Sequence, residues 1–559
     1  MRDANTAFAN AVVDEWARAG VTHAVVAPGS RSTPLALALA RDHRICVHVV
    51  VDERSAAFRS LGIARGSGRP AVVCCTSGTA AANFHPAVVE AHHGRVPLVV
   101  ATADRPPELR DTGAGQTIDQ SHLYGRVVRW FADPGPPEDR PDAGAVWRSF
   151  ASRAVAEAAG PPAGPVHCNL PFREPLVPTG APLVEAPGRP GGVPWTVSHR
   201  ARRAPDDATV AQLAALVRTN PRGVLVAGWG TGAPAATIER FAAAAGWPVL
   251  ADAVSGVRAG PHAVSTYDAL LRARSFAAAQ TPTLALQVGA PLTSKVANAW
   301  LDAVPTILVD PDGVWLDPTR RAGHRVEADE AALLAAVADA LGAPAADRWF
   351  EAWRAAEARA RAALDCALDE PGAVCEALVA RDLSAMLRDG TALVVASSLP
   401  VRALEWAMAP RSGVHVFSNR GANGIDGFVS TAIGVADAGW STVAFAGDLC
   451  FLHDTNGLLG ADAPVTFVVV DNDGGGIFTY LPQRDLPEFE RLFATPTRVD
   501  LVDVSRAHGA RAERVDDLAA VNEPHDGVRV LVVSADREHS AARHRAMWDA
   551  VGQAIDAAE

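Results

Sequence analysis

The chain has 559 residues, of which 49% are hydrophobic and 20% charged, and its formal net charge is −12. This length predicts about three domains, and the negative charge argues against nucleic acid as a partner, because phosphate backbones require a basic face. No apolar run reaches the roughly 18 residues of a membrane span, the first residues lack a signal-peptide core, and the seven cysteines form no CxxC pair. We therefore expect a cytoplasmic globular protein without a membrane span.

The first 180 residues begin with an amphipathic pattern from Thr6 to Gly20, which predicts a helix. Apolar strand patterns and helix patterns then alternate, which predicts an α/β domain with a doubly wound parallel sheet. Glu53 follows a nearly continuous apolar run, which favours a position in the crevice at the carboxyl edge of the sheet. The alternative is an ordinary acidic residue at a helix N-terminus.

A Pro- and Gly-rich stretch over residues 178–205 predicts a linker, and a second α/β pattern occupies residues 200–345. The glycine-rich string GWGTG in this unit lacks the GxGxxG spacing of a dinucleotide site, so we interpret the unit as structural. Lys295 is the only lysine of an arginine-rich chain. Its retention suggests a site that requires a compact ammonium group, and a chance survivor on the surface is the alternative.

Residues 330–385 have helical periodicity and lead into a third α/β pattern over residues 370–559. In this last unit Ser398 lies at a strand-to-helix turn, and Arg402 lies one turn into the following helix. The runs Thr442–Ala446 and Val465–Val470 are short, apolar and β-branched, as in strands that are buried on both faces of a parallel sheet.

Asp448 and Asn472 follow the ends of these two apolar runs. A right-handed βαβ crossover places both side chains at the carboxyl edge of the sheet, where open α/β sheets bind ligands. A carboxylate and an amide oxygen beside the pliable string Gly474–Gly476 suit Mg²⁺, which prefers oxygen ligands. The alternative for each residue alone is a helix cap, but the pair and its spacing favour the metal.

The same stretch resembles the thiamine diphosphate (ThDP) signature of the decarboxylase and transketolase superfamily. The strings GDLCFLHDTNGL and VVVDNDGGGIF, together with PGSRSTPL and TADRPPELRDTGAGQTIDQ in the first domain, are similar to those of 2-succinyl-5-enolpyruvyl-6-hydroxy-3-cyclohexene-1-carboxylate (SEPHCHC) synthases. Two positions depart from the superfamily pattern: Leu449 replaces the usual third glycine, and Asp473 replaces the second residue of an Asn pair.

The resemblance implies three doubly wound parallel-sheet domains of the ThDP-dependent decarboxylase type, namely a pyrimidine-binding domain (1–180), a central domain (200–345) and a diphosphate-binding domain (370–559). It implies ThDP and Mg²⁺ or Mn²⁺ as cofactors, with Glu53 as the catalytic acid at the pyrimidine ring. The implied metal ligands are Asp448, Asn472 and the carbonyl group of Gly474. The implied cofactor contacts are Glu53, Ser398, Gly424, Ile425, Gly447, Asp448, Leu449 and Asn472, with Ile425 wedged under the cofactor.

The activity implied by the resemblance is decarboxylation of 2-oxoglutarate and addition of the succinyl unit to isochorismate in menaquinone biosynthesis. Both substrates are dianions, so an acidic protein requires a local cationic cluster to bind them. The implied substrate contacts are Ser30, Arg31, Arg105, Gln116, Lys295, Arg402, Arg420, Ile477, Phe478 and Leu481. The implied assembly is a homodimer or homotetramer with active sites between subunits, and the alternative activity is that of another ThDP-dependent 2-oxoacid decarboxylase or carboligase.

Overall fold

The computed structural model describes residues 2–342 and 348–557. Three parallel sheets follow one another along the chain, and each lies between two hydrophobic cores. The predicted α/β class with three doubly wound parallel sheets is therefore confirmed. The predicted domain limits at residues 1, 345 and 559 lie outside the described residues, and the boundaries as a whole stay a prediction.

The first sheet has six parallel strands in the order β2-β1-β3-β4-β6-β5. Its strands are β1 (His23–Val26), β2 (Cys46–Val49), β3 (Ala71–Cys75), β4 (Leu98–Asp104), β5 (Trp130–Ala132) and β6 (Pro165–Pro171). Its helices are α1 (Ala4–Arg18), α2 (Thr33–Arg41), α3 (Glu53–Ser67), α4 (Thr79–Asn83), α5 (His85–Gly94) and α6 (Ala143–Ala158). Helix α1 begins two residues before the predicted Thr6, because the carboxylate of Asp3 caps it by accepting from the Thr6 N–H at 3.0 Å.

The second sheet has five parallel strands in the order β11-β10-β9-β7-β8. Its strands are β7 (Gly223–Ala227), β8 (Val249–Ala251), β9 (Leu284–Val288), β10 (Thr306–Val309) and β11 (Ala322–Val326). The helices of this region are α7 (Asp207–Thr219), α8 (Ala235–Ala245), α9 (Tyr267–Leu270), α10 (Arg274–Ala279), α11 (Lys295–Trp300) and α12 (Glu330–Leu341). Gly228 lies so close to the carbonyl oxygen of Ala290 that a Cβ atom would stand 1.6 Å from it, which explains this glycine by packing.

The third sheet has six parallel strands in the order β13-β12-β14-β15-β17-β16. Its strands are β12 (Thr391–Val395), β13 (His415–Phe417), β14 (Ser441–Gly447), β15 (Val465–Asp471), β16 (Arg511–Val515) and β17 (Val528–Ser534). Its helices are α13 (Arg348–Asp369), α14 (Glu376–Met386), α15 (Leu399–Ala407), α16 (Phe428–Asp437), α17 (Asp448–Leu452), α18 (Leu501–Ala507) and α19 (Arg537–Asp556). Strands β14 and β15 are neighbours at the centre of the sheet, as their apolar runs predict.

Helices α3 and α16 pack against each other and join the first domain to the third. Gly62 and Gly434 allow a close approach, because a Cβ atom on either one would stand 2.1 Å from a backbone oxygen of the opposite helix. Arg59 donates to the carboxylate of Asp437 at 2.6 Å, and both side chains are 5% exposed. This interface fixes the first sheet against the third within one chain.

The described residues hold no helix that combines the length and the apolar composition required to cross a lipid bilayer.

Candidate active site

Asp448 lies at the carboxyl edge of the third sheet, where β14 and β15 end side by side. The register pairs Gly447 with Val470, so that Asp448 lies beside Asp471 and Asn472. The Asp448 carboxylate is 3% exposed and accepts from the N–H groups of Leu449 at 2.7 Å and Gly474 at 2.6 Å. Burial, together with the smaller effects of Asp471 and Asp473, raises its pKa to about 7. A cation at this position would offset the cost of the buried charge.

Asn472 contributes an oxygen atom that has no protein partner. Its side-chain Nδ2 group donates to Glu376 Oε1 at 2.6 Å, whereas its Oδ1 atom is buried and accepts no hydrogen bond from the described residues. An unpaired buried acceptor is costly unless a ligand satisfies it. Because Asn472 follows β15 where that strand ends beside β14 and Asp448, a carboxylate and a free amide oxygen share this edge and fit a hard divalent cation.

Neither Asp448 nor Asn472 is the N-cap residue of a helix. Asp448 is the first residue of α17, and its predecessor Gly447 is the N-cap. The short 3₁₀ helix after Asn472, Gly476–Tyr480, has Gly475 as its N-cap. Stabilisation of a helix N-terminus accounts for one bond of Asp448, from the Leu449 N–H in the first turn of α17, but not for its bond from Gly474 or for Asn472.

The loop Gly474–Gly476 is too crowded to carry a side chain at its first position. Gly474 has φ of +126°, and a Cβ atom would stand 2.1 Å from the carbonyl oxygen of Ala494. The N–H of Gly475 donates to the same oxygen at 2.7 Å, which fixes the loop. The carbonyl group of Gly474 accepts from Gly476 N–H at 2.9 Å and keeps a second lone pair for a ligand.

The other residues predicted to contact the cofactor surround the start of α17. Ser398 precedes α15 with φ of +76°, a strained value for serine of the kind that clusters at functional sites. Ile425 is half-buried against the core of the third domain, and its carbonyl oxygen accepts from Cys450 Sγ of α17 at 3.3 Å. Gly424 precedes it, and a Cβ atom there would stand 2.0 Å from Asp426 Oδ1.

A cavity of about 630 Å³ lies between the central and third domains. Its lining includes four residues predicted to contact substrate, namely Lys295, Arg402, Ile477 and Leu481. Arg420 adjoins it, because its guanidinium donates at 3.4 Å to the hydroxyl of Thr293, which also lines the cavity. Lys295 is exposed at the first position of α11, with no ion pair to a described residue.

The cavity lining has five basic residues (Arg272, Lys295, Arg402, Arg484 and Arg545) and three acidic ones (Asp268, Glu405 and Asp485), so its basic side chains are in excess. Burial lowers the pKa of Arg402, the neighbouring Arg420 lowers it further, and Asp252 opposes this shift. Arg402 also donates to the carbonyl oxygen of Ser398, which connects the cavity to the predicted cofactor contacts. The guanidinium group of Arg402, buried beside that of Arg420, forms a site that an anion would stabilise.

Several lining residues were not predicted from the sequence. They include Arg272, Trp406, Tyr480, Arg484, Arg545 and Trp548, and the acidic residues Asp268, Glu405 and Asp485. Trp406 lies four residues after Arg402 on the same helix, so helical periodicity was a sufficient signal for it. Arg545 and Trp548 come from α19, and no local pattern connects them to the cavity. Phe478 was predicted to contact substrate, but its ring packs on Phe493 at 5.6 Å and does not belong to the lining.

Two polar residues predicted in the first domain, Arg105 and Gln116, meet at Ser77. Arg105 donates to Ser77 Oγ, and Gln116 exchanges two hydrogen bonds of 3.1 Å with Ser77. Burial lowers the pKa of Arg105, and so does the nearby Arg31. This cluster has the positive charge that a carboxylate ligand requires.

Arg31 is 8% exposed and donates to the carbonyl oxygen of Phe172 at 2.9 Å, while its Nε atom is buried and has no hydrogen-bond partner among the described residues. Its other terminal nitrogen lies 3.3 Å from Glu174. Ser30 is exposed, and its carbonyl oxygen accepts from Thr33. The first-domain cluster therefore lies at the carboxyl edge of the first sheet, where β1 and β4 end.

Glu53 is the first residue of α3 and is half-buried at the same edge. Burial raises the pKa of the Cys75 thiol at the end of β3, and the charge of Glu53 contributes to the same shift. The adjacent Val49 and Val51 are 61% and 74% exposed. Within residues 2–342 and 348–557, no hydrogen bond or ion pair joins Glu53 to Asp448 or to the lining of the 630 Å³ cavity.

His23, Cys46 and His48 form a second cluster, at the opposite edge of the first sheet, with ligand atoms all within 4.8 Å. His23 Nδ1 and His48 Nε2 are 3.3 Å apart, and the ring centroids are 5.6 Å apart. These distances fit two rings that meet edge to edge through an N–H···N hydrogen bond. Arg59 donates to His48 Nδ1 at 3.2 Å, which leaves the proton of neutral His48 on Nε2. We interpret this cluster as a hydrogen-bond chain from Arg59 to His23.

Comparisons with known proteins agree along the whole chain. Residues 6–123 match the N-terminal TPP binding domain of thiamine pyrophosphate enzymes, residues 192–395 match the middle domain of thiamine pyrophosphate, and residues 405–527 match the C-terminal TPP binding domain. The chain is 46% identical to a SEPHCHC synthase of Thermobifida fusca, with 99% of both chains aligned. It is 42% identical to that of Geobacillus kaustophilus, with 99% of both chains aligned.

A further relative, the SEPHCHC synthase of Bacillus velezensis, is 38% identical over 98% of this chain and 97% of its own length. Identity at this level extends over nearly the full length of all three relatives. The chain therefore belongs to the SEPHCHC synthase family of thiamine pyrophosphate enzymes.

Proposed function

We propose that this protein decarboxylates 2-oxoglutarate and adds the resulting succinyl unit to isochorismate, forming SEPHCHC and CO₂ in menaquinone biosynthesis. The observation that supports this substrate class best is the cationic cavity lined by Lys295 and Arg402 and adjoined by Arg420. A desolvated hydrogen bond to a charged group contributes about 1.5–3 kcal/mol, so a few such contacts select dianions over neutral compounds.

The third-domain edge would hold the cofactors. Asp448, Asn472 Oδ1 and the carbonyl group of Gly474 would bind Mg²⁺ or Mn²⁺, and Ser398, Gly424, Gly447 and Leu449 lie where a diphosphate group would rest. Ile425 would support the cofactor from below. Thiamine diphosphate, when bound, supplies the electron sink that allows a 2-oxoacid to lose CO₂.

The protein's own residues would orient the substrates and move protons. Arg402 and Arg420 would hold substrate carboxylates, while Ile477 and Leu481 would exclude water from the reacting end of the cavity. The carboxyl group of Glu53 would hold a proton at a ring nitrogen of the aminopyrimidine. The first-domain cluster, Ser30, Arg31, Arg105 and Gln116, would bind a further carboxylate.

We infer that Glu53 acts on the cofactor of a second subunit in a homodimer or homotetramer. The support is that no hydrogen bond or ion pair joins Glu53 to Asp448 among the described residues, and that Val49 and Val51 beside Glu53 are exposed. Apolar side chains that are exposed at a sheet edge are typical of surfaces that another copy covers. The proposed location of this assembly is the cytoplasm.

The test is to measure CO₂ release from 2-oxoglutarate with and without isochorismate, each in the presence and absence of ThDP and Mg²⁺. We expect product and CO₂ to form in equal amounts. Their formation should require both substrates and both cofactors. Rapid CO₂ release without isochorismate would instead indicate a simple 2-oxoacid decarboxylase. Failure to consume 2-oxoglutarate under any of these conditions would contradict the proposal.

A further inference from the structure

A buried acidic side chain, Glu376, lies behind the candidate metal site and has no role in the chemistry described above. It is the first residue of α14, it is 2% exposed, and its Oε1 atom accepts from Asn472 Nδ2 at 2.6 Å. Its Oε2 atom is buried and accepts no hydrogen bond from the described residues. Among the described residues, the Asn472 amide is therefore the one group that donates a hydrogen bond to the Glu376 carboxylate.

The neighbouring imidazole cannot take over this interaction. His544 Nε2 is 3.9 Å from Glu376 Oε2, but it accepts from the Ala377 N–H at 3.1 Å. Its Nδ1 atom bonds to the hydroxyl of Tyr480, a residue that lines the 630 Å³ cavity. Burial lowers the pKa of His544 to about 4, so its ring is neutral near pH 7. Glu376 therefore faces Asn472 without a cationic partner on this side.

The two ends of an asparagine amide differ in chemistry but hardly in shape. The Oδ1 atom can bind a cation, whereas the Nδ2 atom carries two hydrogens and repels a cation. In this structure Nδ2 faces Glu376 and the unpaired Oδ1 points away from it. A carboxylate can only accept, so it selects this orientation.

We propose that Glu376 is a positioning residue that fixes the Asn472 amide with its oxygen towards the divalent cation. This inference rests on the proposed function, because it assumes a Mg²⁺ or Mn²⁺ ion at Asp448 and Asn472. Outer partners of this kind typically change metal affinity by about 10–100-fold when they are removed. The binding of the ion itself therefore tests the proposal independently of turnover.

The experiment is a double-mutant cycle on the full-length protein with saturating ThDP. Free Mn²⁺ is measured by its electron paramagnetic resonance signal, and Mg²⁺ is measured by competition. Glu376→Gln removes the charge and lets the amide turn, so we expect the dissociation constant to rise about 10–100-fold. Glu370→Gln is the matched control, because Glu370 is exposed and should leave the constant unchanged.

The second arm of the cycle separates orientation from general damage. Asn472→Asp alone places a carboxylate against Glu376 and should weaken binding through repulsion. Combined with Glu376→Gln, the same aspartate presents oxygen at both ends and accepts from the glutamine amide, so the double variant should bind at least about 10-fold more tightly than Glu376→Gln alone.

Two outcomes overturn the positioning role alone, and a third overturns both that role and the proposed metal cofactor. Unchanged affinity in Glu376→Gln contradicts the positioning role, and so does a double variant that is weaker than both single variants, since that indicates simple loss of structure. If the unsubstituted protein binds no Mn²⁺ or Mg²⁺ in the presence of ThDP, the proposed cofactor itself fails and the inference fails with it.

Discussion

Asp448 is a buried carboxylate whose ionised form would be stabilised by a bound cation. Because its pKa lies near 7 without one, the buried side chain is a poor anion on its own and a good ligand when Mg²⁺ is present. We expect Asp448→Asn to weaken Mg²⁺-dependent binding of ThDP by about 100-fold or more, since a neutral amide replaces the only anionic ligand. Isothermal titration of ThDP at fixed Mg²⁺ measures this change.

The matched control for Asp448→Asn is Asp473→Asn. Asp473 is exposed on the same loop with φ of +55°, a conformation that asparagine tolerates. It should keep ThDP affinity within about threefold. Equal losses in the two variants would indicate a general electrostatic effect of this edge and no specific ligand at Asp448.

Arg402 and Arg420 are proposed to bind substrate carboxylates, whereas Asp448 is proposed to bind the metal ion. Arg402 lines the cavity, and Arg420 donates to the hydroxyl of Thr293, which also lines it. We expect Arg402→Ala and Arg420→Ala each to lower kcat/KM for 2-oxoglutarate or isochorismate by about 10–150-fold, because a desolvated charged hydrogen bond contributes about 1.5–3 kcal/mol. ThDP affinity should stay unchanged. Steady-state kinetics with ThDP titrations check both statements, with the exposed Arg388→Ala as the control.

At the scale of elements, the turn after α17 holds a buried carboxylate between the first and third domains. Asp454 accepts from the Ser430 N–H at 2.7 Å and from the Ser55 hydroxyl at 3.2 Å. Burial raises its pKa to about 6 from the ordinary value of 3.8. Between these two values the folded protein keeps a proton that the unfolded chain has released.

The free energy of unfolding contributed by Asp454 is therefore fully present below about pH 4 and falls as the pH rises to about 6, by on the order of 3 kcal/mol. Asp454→Asn should remove this loss and raise the melting temperature at pH 7 relative to the unsubstituted protein, with little difference at pH 4. Melting curves over this range test the prediction. Asp462→Asn, whose side chain is 93% exposed, should show no such pH-dependent difference.

The glycine loop after β15 is a second element whose geometry can be tested. Gly474→Ala introduces a Cβ atom 2.1 Å from the Ala494 oxygen at a φ of +126°, so the loop must move and release Asp448. We expect at least about a tenfold loss of Mg²⁺-dependent ThDP affinity and a destabilisation of about 1–3 kcal/mol. Titration and thermal melting measure these effects.

Gly552→Ala in α19 provides the comparison for this substitution. No heavy atom lies within 4 Å of a Cβ at that position, so alanine should be neutral or stabilising by about 0.5–1 kcal/mol. If Gly474→Ala behaves like Gly552→Ala, the crowded loop does not position the metal site.

The elements near the metal site were largely predictable from the sequence, and the substrate cavity was only partly so. Two apolar runs with polar ends are sufficient to place Asp448 beside Asn472, because parallel strands end at a common edge. Glu376 is 96 residues from Asn472 along the chain, and no periodicity connects the two. Arg545 and Trp548 reach the cavity because α19 packs there, which depends on tertiary contacts that local patterns do not encode.

At the scale of the whole molecule, one chain carries the two parts of the proposed active site at the edges of two different sheets. Glu53 and the first-domain cluster lie at the carboxyl edge of the first sheet, while Asp448 and the 630 Å³ cavity lie at the third sheet. The packing of α3 against α16 holds these parts in place within one chain. A second copy related by a twofold axis would complete both sites at once, since a twofold interface repeats each contact.

This arrangement predicts complementation between two inactive variants. Glu53→Gln and Asp448→Asn should each abolish product formation as homo-oligomers. In a mixed dimer, one of the two sites combines both defects and the other combines two intact edges. Random mixing should therefore restore about a quarter of the activity of the unsubstituted protein.

The two variants should be coexpressed with different affinity tags and the doubly tagged species isolated, which raises the expected activity to about half. The control is a double variant that carries both substitutions in one chain, mixed with itself, which should stay inactive. If each site formed within a single chain, every chain in the mixture would contain one defect and no activity would return. Recovery in the mixed dimer would thus locate Glu53 and Asp448 of one working site on different subunits.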